Sequence, residues 1–233
     1  MRRESKVSND DLSEISAASH AAVLALNNAH AAELSWLEPD ELSRLLAIGA
    51  LLMLLPCVWD VAHGVLMFPV LKQHSERMAI GYLAFRIVDA VFIAVMVLFV
   101  LVQIPLGSEY LKAAASDASF FQALSALFSQ AQQYAYQIGM SALGVSGLML
   151  CYTLYRAKLV PGWLAIWGLV GYAVILVGML SAIMGSGLGD LSSYPGGLWE
   201  MFVGVWLIVK GFNPSAIASL SAKTATNKLL SAA

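Results

Sequence analysis

Apolar residues run almost without interruption through five stretches of the chain, roughly 45–71, 79–104, 134–155, 161–185 and 196–212, and short polar clusters bound each of them. A helix needs about 20 apolar residues to cross about 30 Å of hydrocarbon, so each stretch is expected to span a membrane. The first is introduced by "EPDEL", where Pro39 suits a first helical position and Asp40 with Glu41 complements the positive end of the helix dipole. That helix is expected to begin before the membrane does. "KQHSER", between the first and second stretches, is short and polar, which predicts a tight hairpin and antiparallel neighbours. The fifth stretch ends at "KGFNPS", where Gly211 and Pro214 stop a helix in the usual order.

Two regions follow a different pattern. Residues 109–133 place Phe120, Phe121, Leu124, Leu127 and Phe128 at helical spacing among Ser, Gln and Asp, which predicts an amphipathic helix on the membrane surface or a stalk continuing the third span. "ISAASHAAVLALNNAHAAELSWL" near the N-terminus is long enough to cross, but His20, Asn27, Asn28, His30 and Glu33 oppose insertion. The expected fold is therefore an all-α, multi-pass transmembrane helical bundle of five spans, or six if residues 15–37 also cross, plus the amphipathic surface helix. Residues 1–44 form an acidic helical segment outside the membrane in this reading, 45–213 the bundle and 214–233 a flexible tail.

Composition agrees, because 59% of the residues are hydrophobic and only 12% charged, where a soluble domain carries about 25% charged residues. A formal net charge of -2 gives no field to hold nucleic acid. Cys57 and Cys151 each lie inside an apolar stretch, so neither a disulfide framework nor a metal-ligand spacing is expected, and no cofactor is implied. "MRRESKVSNDDLSE" has a basic start followed by acidic residues instead of the apolar run of a cleavable signal. If the five spans hold, one side of the membrane receives the seven basic residues Lys72, Arg77, Arg156, Lys158, Lys210, Lys223 and Lys228, and the other receives the two residues Arg44 and Lys112. Counted near the span ends, which leaves out Arg2, Arg3 and Lys6, the richer side, with the C-terminus, is then cytoplasmic, which suits a protein of the plasma membrane. The expected partners are the lipid bilayer and, through membrane helices, other proteins or a second copy. Gly139, Ala142, Ser146 and Gly147 in the third span, with Gly168, Gly171, Gly178 and Ala182 in the fourth, would let helices approach closely. Trp163, Trp167, Trp199 and Trp206, with Tyr152, Tyr155 and Tyr172, read as interfacial anchors and packing groups.

Charged residues inside the spans are the candidate chemistry. At 1.5 Å rise per residue, Asp60 lies about 3 Å past the midpoint of the first span and Asp89 about 4 Å before that of the second, on the same half of the membrane. His63 and Arg86 are level as well, about 7 to 8 Å from the midplane. Consecutive antiparallel helices would bring these four together. Tyr82, Arg86 and Asp89 share one helix face, which Met96 and Gln103 continue and which must look inward. A lone charge near the bilayer centre costs about 2.5 to 3.5 kcal/mol on insertion scales. Arg86 can satisfy two carboxylates with its fork of donors, and the remaining negative charge falls to His63 or to a proton. Pro56 frees the carbonyl of Leu52 and suggests a kink and a water-accessible pocket nearby. Glu200 is included in the cluster, although a first-turn carboxylate could simply favour its helix dipole. "GSGLGD" contains the Gly-x-Gly-Asp string of intramembrane aspartyl proteases, but Asp190 falls in an expected loop without a Tyr-Asp partner. No catalytic residue is assigned.

The runs "RMAIGYLAFRIVDAV", "YRAKLVPGWLAIWGLVGY" and "GLWEMFVGVWLIVKGFN" resemble, in order and spacing, the bacterial membrane family known as domain of unknown function 4386, over about residues 45–213. The resemblance implies a helical membrane fold, usually of six helices, so that one N-terminal helix looks replaced here. The segment standing there, "VLALNNAHAAELSWLEPDELSRLL", is similar to the opening of some GNAT-type acetyltransferases. No glycine-rich acetyl-CoA loop follows it, so that activity is not carried over. The family implies no activity. Two function classes follow. One is a structural or accessory subunit of a membrane complex, slightly favoured by the small number of spans and the lack of an evident inverted repeat. The other is a small-solute or proton carrier that uses the cluster of Asp60, His63, Tyr82, Arg86, Asp89 and Glu200.

Overall fold

A computed structural model describes residues 39–112, 118–185 and 189–219, and among these there is helix and turn but no strand. The helices are α1 (Pro39–Leu52), α2 (Leu54–Lys72), α3 (Glu76–Lys112), α4 (Ala118–Arg156), α5 (Gly162–Ile183) and α6 (Ser193–Val209), with a single 3-10 turn at Asp190–Ser192 leading into α6. Residues 214–219 are again helical. Residues 1–38, which hold the expected outer segment and the alternative sixth span, lie outside the described residues.

Four helical stretches are long and apolar enough to cross a membrane: Ser43–Lys72, Glu76–Tyr110, Ser119–Arg156 and Gly162–Ile183. They match the first four expected spans, the fourth within two residues at either end. The fifth coincides with α6, whose 17 residues would extend about 25 Å at 1.5 Å per residue. Where one helix was expected from residue 39 to 71, the chain breaks at Met53 into α1 and α2. Pro56 supplies the reason, since it has no N–H to bond the carbonyl of Leu52 and its ring crowds that carbonyl.

The amphipathic stretch is not a separate surface helix. Its end from residue 118 onward is the first part of α4, which runs unbroken through the third span to Arg156. No proline or glycine interrupts residues 118–138, so nothing in the chain stops the helix there. The helices α3 and α4, of 37 and 39 residues, would each extend beyond 50 Å, roughly, at 1.5 Å per residue, well past what the hydrocarbon requires.

The chain divides into two compact units, residues 1–54 with 95–133, and residues 55–94 with 134–233. In the first, the end of α3 and the start of α4 pack antiparallel, with ring contacts between Phe99 and Phe128 and between Tyr110 and Phe121. Ser125 donates to the buried Gln103 at 3.3 Å. The apolar face of residues 109–133 is thus used partly against a neighbouring helix, while Phe120 and Leu127 stay open.

In the second unit, α2 and α3 form the expected hairpin. Ser75 caps α3 through a bond from the Met78 amide at 3.4 Å, and Lys72 pairs with Glu76 at 2.9 Å on an exposed surface. Such a pair contributes at most about 1 kcal/mol. The core gathers Leu71, Tyr82, Leu154, Leu164, Tyr172 and Trp199, all essentially without solvent contact. Trp199, read from sequence as an anchor or packing group, is wholly buried, and its indole N–H donates to the Leu164 carbonyl at 2.7 Å. Neither Cys57 nor Cys151 is in a disulfide, and Cys151 is fully buried.

Candidate functional site: a charge cluster among the apolar helices

Every member of the cluster lies within the second unit. Arg86 is its centre, 4% exposed on α3. In a helix the side chain leans toward the N-terminus, which carries the Arg86 guanidinium back over Tyr82, one turn earlier. Its Nε donates to the Tyr82 hydroxyl at 3.2 Å, and its carbon Cζ stands 5.5 Å from the Tyr82 ring centre. Across the hairpin, Arg86 Nη1 donates to Asp60 Oδ1 on α2 at 2.6 Å. One turn further along α2, His63 Nδ1 meets the Tyr82 hydroxyl at 2.9 Å. Arginine can only donate, so the hydroxyl proton of Tyr82 is left for the His63 ring nitrogen. Asp60, Arg86, Tyr82 and His63 form one hydrogen-bonded chain across the two helices.

A second arm comes from the far end of the sequence. Glu200 on α6 places Oε1 at 3.7 Å from Arg86 Nη2 and accepts a bond from the Tyr172 hydroxyl on α5 at 2.5 Å. Glu200 is partly open, with its side chain 42% exposed, whereas Tyr172 is fully buried. Tyr172 was not expected in the site. The signal that could have found it is its place well inside the fourth span, where a tyrosine hydroxyl needs a partner that an interfacial tyrosine finds in water.

Asp89 behaves differently from the pairing its spacing suggests. Arg86 and Asp89 share a helix face, yet the ion pairs of Arg86 are with Asp60 and Glu200. The side chain of Arg86 has already leaned away from the C-terminal residue. Asp89 is 1% exposed, and its Oδ1 has no hydrogen-bond partner. That atom faces α4 at Gly139, where an added Cβ would stand 3.2 Å from it. The charges of Asp60, Arg86 and Glu200 all reach it. The inventory is thus three carboxyls, Asp60, Asp89 and Glu200, around one guanidinium. Among the described residues no group of three His, Cys, Asp or Glu side chains could hold a metal ion.

Packing fixes the second arm. The Tyr172 ring lies directly against Gly147 on α4, where any side chain would collide with it.

The family model described as "Domain of unknown function (DUF4386)" matches residues 16–211. The chain belongs to that family. The match to DUF4386 begins at residue 16, well before the resemblance read from residue 45, so the segment that looked replaced and acetyltransferase-like lies within the family domain. No curated protein and no solved structure matches the chain.

Proposed function

We propose that this DUF4386 protein is a multi-pass membrane protein that binds and exchanges a proton, or a small solute together with one, at the Asp60–Arg86–Asp89–Glu200 cluster. The observation that carries this reading is the buried, unpartnered Oδ1 of Asp89 beside Asp60, in a site with more carboxyls than cations. An ion pair that only fixes helix neighbours needs charge balance and full hydrogen bonding, and a surplus buried carboxyl serves neither. Glu200, 42% exposed and linked to Arg86, lies at the edge of the cluster. The second reading is a structural or accessory subunit, supported by the completely bonded Asp60, Arg86, Tyr82 and His63 chain, which by itself does no more than join α2 to α3. The large exposed apolar side chains of α2, such as Val58, Trp59 and Leu66, do not decide between the two. Lipid tails satisfy them as well as a partner protein or a second copy would.

The deciding experiment is infrared titration of the purified protein across the neutral pH range. The expected result is a protonated-carboxyl band that disappears on raising the pH and is absent from Asp89→Asn. Identical spectra from the two proteins, with no titrating band, would leave the accessory role as the better reading.

The proposal includes five spans, with α6 as the fifth, in the plasma membrane. The seven-to-two distribution of basic residues near the span ends supports a cytoplasmic C-terminus. A reporter enzyme active only in the cytoplasm, fused after Ala233, is expected to be active. Activity only from a reporter that works outside would invert the topology.

A further inference from the structure

Away from the charge cluster, the second unit contains a cavity of about 600 Å³ between the end of α4, the start of α5 and the end of α6. Its walls carry Arg156, Lys158 and Lys210, with Tyr155, Trp206 and Phe212, and no carboxylate. We propose that this cavity binds the phosphate-bearing headgroup of an anionic phospholipid.

The backbone builds the site. Helix α4 ends with Lys158 in the left-handed conformation, at φ 53°. The Lys158 amide bonds the Tyr155 carbonyl at 3.2 Å and the Leu159 amide bonds the Leu154 carbonyl at 3.1 Å. These two bonds make a Schellman closure, whose left-handed position usually takes glycine. Lysine stands there instead and lines the cavity. Past α6 the chain turns at Gly211, also left-handed at φ 68°. Asn213 then ties the two turns together, its amide bonding the Leu159 carbonyl at 2.9 Å and its side chain the Lys158 carbonyl at 3.4 Å. Lys158 and Lys210 are therefore held on facing walls by a fixed backbone. Among the described residues none of the three cations is in an ion pair with a carboxylate. The first turn of α5 adds the amides of Gly162 and Trp163, which have no partner within the helix and sit at the positive end of its dipole.

Position selects a lipid over a free anion. The cavity lies where two helices long and apolar enough to cross a membrane end and begin, Ser119–Arg156 and Gly162–Ile183. Exposed Tyr155 and Trp163 stand at this boundary, as aromatic residues do at headgroup level. Beyond it, Ile166 and Val170 of α5 and Val205 of α6 are open apolar surface against which acyl chains can lie. Basic pockets between spanning helices are the usual seats of anionic headgroups. This assignment rests on the membrane placement but not on the proton chemistry of the cluster.

The test counts lipids bound to the purified full chain by native mass spectrometry and follows thermal unfolding in phosphatidylcholine bilayers with added phosphatidylglycerol. Phosphatidylglycerol is expected to bind in preference to phosphatidylcholine and to raise the unfolding temperature. Arg156→Gln, Lys158→Gly and Lys210→Gln should each weaken phosphatidylglycerol binding about five-fold, the equivalent of about 1 kcal/mol per basic residue at an anionic surface. Arg77→Gln, outside the cavity, should leave it unchanged. Lys158→Gly separates charge from fold, because glycine accepts the left-handed backbone: in pure phosphatidylcholine it should unfold no earlier than wild type. Equal binding of the two lipids, or undiminished binding by the three variants, would overturn the proposal. So would competition by inorganic phosphate without any effect of phosphatidylglycerol, which would make the cavity a free-anion site. Alkaline extraction of membranes, run in parallel, keeps a failure of the membrane placement distinct from a failure of the site.

Discussion

Arg86→Leu is expected to be the most damaging single substitution in the second unit, and Asp60→Asn in the same chain is expected to restore much of what is lost. Removing one partner of a buried ion pair costs about 3–5 kcal/mol, because the other charge is left where water cannot reach it. Arg86 is the cation paired with Asp60 and Glu200, and its Nε also satisfies the Tyr82 hydroxyl. Leucine fills part of the space and none of these roles. With Asp60 changed to asparagine, the carboxylate most dependent on Arg86 becomes neutral, and the double variant should unfold markedly later than Arg86→Leu alone. Asp89→Asn should give little such rescue, because the ion pairs of Arg86 are with Asp60 and Glu200 and the proposed function has the surplus Asp89 carboxyl carrying a proton. Thermal unfolding in detergent, followed by circular dichroism, checks all three. Equal rescue by Asp60→Asn and Asp89→Asn would mean that Asp89 bears a full charge in the wild-type protein, which would also count against the proton-binding role.

The contrast between Asp60 and Asp89 shows how far the sequence could be read. Depth along a helix follows from residue count, and a short polar turn makes α2 and α3 antiparallel, so a meeting of Asp60, His63, Arg86 and Asp89 was legible. Asp60 and His63 do meet Arg86 and its neighbour Tyr82. The choice of partner was not legible. Two carboxyls lay within reach of one guanidinium, and the direction in which a long side chain leaves its own helix decides between them. Glu200 and Tyr172 belong to helices joined through a separate connection, and nothing in periodicity says which face of α5 or α6 turns toward α3. The aromatic pattern of residues 109–133 left two readings open for a related reason, and the stalk continuing the third span is the one α4 shows. An apolar face signals burial without naming what buries it, and here Phe121 and Phe128 meet Tyr110 and Phe99 while Phe120 and Leu127 stay open. The absence of any helix breaker between residues 118 and 138 was the better signal.

Gly147→Ala is expected to damage both packing and the cluster, although residue 147 carries no polar side chain. The added Cβ would occupy the place of the Tyr172 ring, which is fully buried and has no free space to retreat into. Overpacking of this kind costs about 1–3 kcal/mol. If the ring moves, its hydroxyl leaves Glu200 Oε1, now 2.5 Å away, and a hydrogen bond to a charged group contributes about 1.5–3 kcal/mol. Gly204→Ala is the matched control on α6, since nothing lies within 4 Å of a Cβ there. It should be neutral or slightly stabilising through the better helix propensity of alanine. The mechanism predicts strong non-additivity. Once Tyr172→Ala has removed the ring, Gly147→Ala should add little further loss, and the coupling measured by the double-mutant cycle should approach the full cost of the single glycine substitution. Simple addition of the two losses would show that the helices part at Gly147 without moving Tyr172. The Glu200 arm would then survive the substitution, and the link from this glycine to the charge cluster would be lost.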